Sequence, residues 1–73
     1  MDIRRYRFDD VFHVEGGRIS PRIPVQIGGV TMGPGVSFGR GVSFSGVDLS
    51  NYVGKDIAGY IENGVMIIKG FYS

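Results

Sequence analysis

The sequence predicts an all-β single domain over residues 1–73, with about five to seven short antiparallel strands and at most one short helical turn. Three observations carry this expectation. Asn63-Gly64 lies between two apolar, β-branched runs, Ile57–Glu62 and Val65–Ile68. Asn and Gly take φ > 0 at least cost, which suits the type I′ turn of a two-residue hairpin. Thirteen glycines and three prolines punctuate the chain at near-regular spacing. Apolar and polar residues alternate from Ile19 to Ile27, the period of a half-buried strand. A small barrel and a two-layer sandwich both use that alternation.

The elements follow in order. Ile3 to Phe8 reads as a charged strand, with Arg4, Tyr6 and Phe8 on one face and Ile3, Arg5 and Arg7 on the other. Asp9-Asp10 then mark a turn, since their carboxylates bond nearby backbone. Val11 to Ser20 reads as a hairpin with Gly16-Gly17 as its loop. That register sets Glu15 opposite Arg18 and Val14 opposite Ile19, with Phe12, Val14 and Ile19 facing the core and His13 and Glu15 facing out. Beyond it, Ile19, Ile23, Val25 and Ile27 share a face. Pro21 and Pro24 remove ladder donors on opposite sides, which implies an edge strand or a break into two shorter ones.

Glycines bracket Val30-Thr31-Met32, and the next segment repeats itself: Val36-Ser-Phe-Gly39, then Val42-Ser-Phe-Ser45. Val42-Ser-Phe-Ser-Gly46 and Val47-Asp-Leu-Ser-Asn51 resemble units of the pentapeptide-repeat family, which centre on Phe or Leu. The resemblance implies a solenoid, but it covers ten residues, and one coil of that family takes four such units. The segment is therefore read as short strands with Gly turns. Asp48–Asp56 can hold one helical turn, stopped by Gly54. In the terminal hairpin Glu62 pairs with Val65, Ile61 with Met66, and Tyr60 with Ile67. Val65-Met-Ile-Ile68 is apolar without alternation, the pattern of a strand covered on both faces.

Composition narrows the function classes. The chain has no cysteine, so neither a disulfide nor a thiolate metal site is available to it. Apolar burial in so short a chain only roughly offsets the cost of ordering it, so association with a second copy is expected. The net charge of +1 gives no strong field for nucleic acid or anionic membrane. A 42% hydrophobic fraction argues against wholesale disorder. No apolar run approaches the roughly 20 residues that span a bilayer, and the N-terminus lacks a signal-peptide core. No membrane association and a cytoplasmic location are the expectations.

The candidate chemistry is sparse. His13 is the only side chain that ordinarily titrates near neutral pH, and Glu15 beside it does not complete an active site. Asp9, Asp10, Asp48, Asp56 and Glu62 are scattered at turn-like positions without the tight spacing of a cation loop. Gly33–Gly41 lacks the Lys-Ser/Thr and the following helix of a phosphate loop. No cofactor and no metal are expected.

Three functions remain. The preferred one is a small self-associating structural or protein-interaction module without catalysis of its own. Its contact residues would be Val65, Met66, Ile67 and Ile68, and its partner a second copy or another protein. The second is a nucleic-acid-binding small β-barrel, with Arg4, Arg5, Arg7 and Arg40 on the backbone and Tyr6 and Phe8 stacking on bases. Asp2, Asp9 and Asp10 offset those arginines locally. The third is a small enzyme with a site between subunits near His13.

Overall fold

The computed structural model describes residues 2–72. Among these residues nine short strands form: β1 (Arg4–Tyr6), β2 (Phe12–Glu15), β3 (Arg18–Pro21), β4 (Val25–Ile27), β5 (Val30–Met32), β6 (Ser43–Phe44), β7 (Val47–Asp48), β8 (Ile57–Glu62) and β9 (Val65–Phe71). Two single helical turns interrupt them, α1 (Phe8–Val11) and a 3₁₀ turn over Leu49–Tyr52. The class is all-β.

Five strands make one sheet in the order β1-β8-β9-β4-β5, and β2-β3 and β6-β7 are separate two-stranded ribbons. The sheet has two free edges, so the fold is layered rather than closed into a barrel. Its pairings are antiparallel except that β4 runs parallel to β9. That parallel pair departs from the antiparallel expectation. Its partners are far apart in sequence, so no turn cue announces it.

The turn chemistry sets the registers as expected. Asn63 and Gly64 have φ of 54° and 78°, and the hairpin closes with Glu62 opposite Val65, Ile61 opposite Met66 and Tyr60 opposite Ile67. The β2-β3 ribbon pairs Glu15 with Arg18 and Val14 with Ile19. The two prolines divide the alternating run: β3 ends at Pro21, and β4 begins after Pro24. Pro24 cannot donate, but its carbonyl accepts from the Met66 amide at 2.8 Å, so it still helps to seat β9.

The first strand is shorter than expected. It stops at Tyr6, and Phe8 begins α1. Phe8 and Val11 are three apart, so one helical turn puts both on the same side, where both are buried. Phe8 then stacks on Phe12, with ring centroids 4.8 Å apart.

The ribbons, α1 and the 3₁₀ turn contribute Phe8, Val11, Phe12, Ile19 and Leu49 to a single core. Phe38 joins it through a bridge to Ile19. The sheet contributes Val25, Ile27, Met32, Ile57, Met66 and Ile68 from one face. Paired residues share a face, so two rows run straight across: Ile61–Met66–Val25–Met32 and Gly59–Ile68–Ile27–Val30. The segment that resembles pentapeptide repeats forms an antiparallel ribbon, turned at Ser45-Gly46, and not a solenoid coil. That turn seats on the β4-β5 turn, where the Ser45 hydroxyl donates to the Ile27 carbonyl at 3.2 Å. Gly28, at φ 58°, leaves room for it; a Cβ there would collide with the Ser45 side chain.

The surface of 4410 Å² is close to the roughly 4,500 Å² that size scaling gives for a monomer of this mass. Among the described residues, the buried hydrophobic side chains form one core within a single chain.

Near the C-terminal end of the sheet, Ala58 pairs with Gly70 but Gly59 with Ile68, so Lys69 is an extra residue bulged out of β9. Gly59 lies against this bulge, and a Cβ on it would strike the Ile67 carbonyl oxygen and come 2.9 Å from the Met66 methyl. Backbone cannot yield as a side chain can, so Gly59→Ala is expected to lower stability by about 1–3 kcal/mol in a urea titration. Gly70→Ala, facing open space at an ordinary φ, is expected to stay within about 0.5 kcal/mol of the parent.

Candidate functional site

The apolar run in β9 is divided by the two-residue period of its strand. Met66 and Ile68 are 0% and 6% exposed and lie in the chain's own core. Val65 and Ile67 point to the opposite face and are half-buried. Coverage on both faces therefore does not come from within one chain. Met66 and Ile68 are already packed, and only Val65 and Ile67 are open to a partner.

Around those two lies the outer face of the sheet. The row Tyr60–Ile67–Gln26–Thr31 crosses β8, β9, β4 and β5. Glu62 pairs with Val65 below it, and Arg5 with Ala58 above it. No residue of these rows is buried, and neither Tyr60, Val65, Ile67 nor Ala58 belongs to the core or packs against it. The centre is apolar (Ala58, Tyr60, Val65, Ile67), and the rim is polar (Arg5, Gln26, Thr31, Glu62). Lys69 sits at the bulge with its ammonium 5.9 Å from the Tyr60 ring centroid. Along β8 the face is about 20 Å long, and across five strands about 19 Å.

The arginine cluster is dispersed by the fold. Arg5 donates to Asp56 at 2.6 Å and stacks over the Tyr72 ring at 4.3 Å. Arg4 lies on the other side of β1, in the row of Gly59. Phe8 is 2% exposed, so it offers no face to a base. Tyr6 is half-buried and packs on the core. Arg7 caps α1 without a side-chain bond to it. Arg40 is exposed, and its charge adds a small part to the lowering of the Asp48 carboxyl. Three arginines with two stacking rings are thus not gathered on one surface. Asp56 was the missing signal, and it lies 51 residues from Arg5 in sequence.

His13 is exposed on β2. Its Nδ1 lies 3.5 Å from Nη2 of Arg22, and its Nε2 is 3.8 Å from a Glu15 carboxylate oxygen. Arg22 is itself held by the Asp9 carbonyl at 2.8 Å. The ring is flanked by a cation and a carboxylate, not by a nucleophile. Among the described residues no three metal-ligating side chains gather, and no helix is long and apolar enough to cross a membrane.

Asp48 has a structural task. One carboxylate oxygen accepts from the Ser50 hydroxyl at 2.7 Å and the Ser50 amide at 3.0 Å, starting the 3₁₀ turn. The other accepts from the Gly41 amide at 3.1 Å. The Ser50 hydroxyl, then the Ser50 amide, the Gly41 amide and the nearby Arg40 charge hold the carboxyl below its ordinary value of 3.8.

No family model, curated protein or solved structure matches the chain.

A carboxylate with a lowered pKa stabilises the fold fully above its ordinary value and loses that contribution as pH falls through the lowered one. Asp48→Asn is therefore expected to be less stable than the parent at neutral pH. The gap should narrow as pH falls from about 5 to 2, measured by urea titration at each pH. In the parent, the Gly41 and Ser50 amide resonances are expected to shift together with that protonation.

Proposed function

We propose that the chain is a small interaction module that pairs with a second copy of itself through the outer face of the five-stranded sheet. The observation that carries this reading is the apolar centre formed by Ala58, Tyr60, Val65 and Ile67 on a face its own second layer leaves open. An apolar middle with a polar rim is the anatomy of a protein interface. Tyrosine suits such a position because it combines a large apolar ring with a hydroxyl that tolerates water.

A second copy is the occupant that charge favours. The net charge of +1 puts little repulsion between two chains. A two-fold pairing buries the same patch on both sides, so the apolar centres meet each other. Sheets stacked this way pack about 10 Å apart. A face of roughly 20 by 19 Å is smaller than a standard interface, so the association belongs to the weak class, with a micromolar rather than nanomolar dissociation constant. The function is non-catalytic in this reading.

Sedimentation equilibrium from about 1 µM to 1 mM tests it. The average mass is expected to rise from one chain towards two, and the thermal midpoint to rise with it. Ile67→Asp places a charge against its own copy across the two-fold, and is expected to give single-chain mass throughout with the circular dichroism of the parent. A one-chain mass for the parent at every concentration would refute the proposal.

A further inference from the structure

We propose that the opposite side of the same sheet holds a binding site for a small, uncharged aromatic or heteroaromatic ring compound. Between the end of β9, the β4-β5 turn and the β6-β7 ribbon lies a half-open cavity of about 450 Å³. Ile27, Val47 and Ile68 supply aliphatic walls, Tyr52 and Phe71 an aromatic one, and Ser45 a hydroxyl. Protein interiors seldom leave voids much larger than a water molecule. A concavity of this size instead falls at the lower end of the roughly 300–1,000 Å³ typical of ligand sites, enough for a ring compound and too little for a folded peptide.

The walls are held in place before any ligand arrives. Tyr52 and Phe71 stack with centroids 4.2 Å apart and planes 14° from parallel, joining the 3₁₀ turn to β9. The Ser45 hydroxyl donates to the Ile27 carbonyl, which pins the ribbon to the sheet. Gly28 permits that contact, because any Cβ there would push Ser45 away. Such a wall costs little to order on binding, which is where much affinity is otherwise lost.

The ligand class follows from the lining. Aromatic walls favour a flat partner, stacked offset or edge to face. Lys69 lies at the rim, but its ammonium sits over Tyr60 on the outer face of the sheet. Among the described residues, no carboxylate lines the cavity. A charged ligand would lose water there without a compensating partner, whereas a neutral ring would not. The Ser45 oxygen keeps a free lone pair to accept one hydrogen bond from a ring N–H or O–H.

Indole, which has a flat neutral ring and one N–H, is the probe. Titrated into the full chain and followed by heteronuclear NMR, it is expected to give saturable shifts centred on Ser45, Val47, Tyr52, Ile68 and Phe71. Benzoate and benzylammonium are expected to bind at least about tenfold more weakly. Val47→Phe fills the cavity and should weaken indole by about tenfold or more in a variant that keeps the parent spectrum. Should that variant misfold, Phe71→Leu removes the stacked wall and is expected to weaken indole likewise. Ile67→Asp, on the outer face, should leave indole binding unchanged, so this site and the self-association succeed or fail separately. No saturable shift at millimolar indole would overturn the proposal. Shifts centred on Tyr60 and Ile67, tighter binding of either charged ring, or undiminished affinity in a folded cavity variant would do the same.

Discussion

The parallel pairing of β4 with β9 is the contact on which the rest of the structure depends. Val25 meets Met66 and Ile27 meets Ile68, and these four are among the core residues. Without that pairing, the β4-β5 hairpin has no sheet to join, since among the described residues β4 is what links it to β9. The row Ile61–Met66–Val25–Met32 would be cut at its middle. The partners are 41 residues apart (66 − 25), so closing the sheet costs loop entropy that only burial along the row can offset.

The prolines make this arrangement available. A continuous strand from Arg18 to Ile27 would hold Ile19 and Ile27 in one layer. Pro21 and Pro24 end the ladder between them, so β3 goes to the second layer while β4 enters the sheet. Ile19 and Val25 can then face each other across one core, in different layers but in the same cluster. The Pro24 carbonyl, accepting from the Met66 amide, supplies the first bond of the new pairing. A residue that breaks one strand thus helps to start the next.

What was legible in the sequence was local. Asn63-Gly64 and Gly16-Gly17 prescribe turns, and a two-residue turn prescribes every pair that follows, so both hairpin registers could be read in advance. The all-β class followed from the same signals. Other features depend on residues that are distant in sequence. Phe8 looked like a strand residue beside Tyr6, because alternation cannot reveal that Phe12 waits to stack on it. The Val65–Ile68 run looked uniform, because four apolar residues in a row do not say which two the core will take. The placement of the Arg5 side chain depends on Asp56, which folding brings to it. The cavity is the least legible feature of all, since its walls come from four segments between Ile27 and Phe71.

Strand period also explains how so small a chain can present two surfaces without conflict. Ile67 and Ile68 are neighbours, yet the pleat sends one to the open face and the other to the core and the cavity wall. The sheet between them is one residue thick. Its outer rows hold no residue of the core, so a change there alters what the face offers without creating a void. The inner rows have the opposite property: Met66 is wholly buried, and altering it removes packing from both halves of the sheet at once. Division of labour by side-chain parity is therefore what a 73-residue, glycine-rich chain can sustain. On the hairpin side of the Lys69 bulge, Met66 and Ile68 hold the fold together, while Val65 and Ile67 stay outside the core.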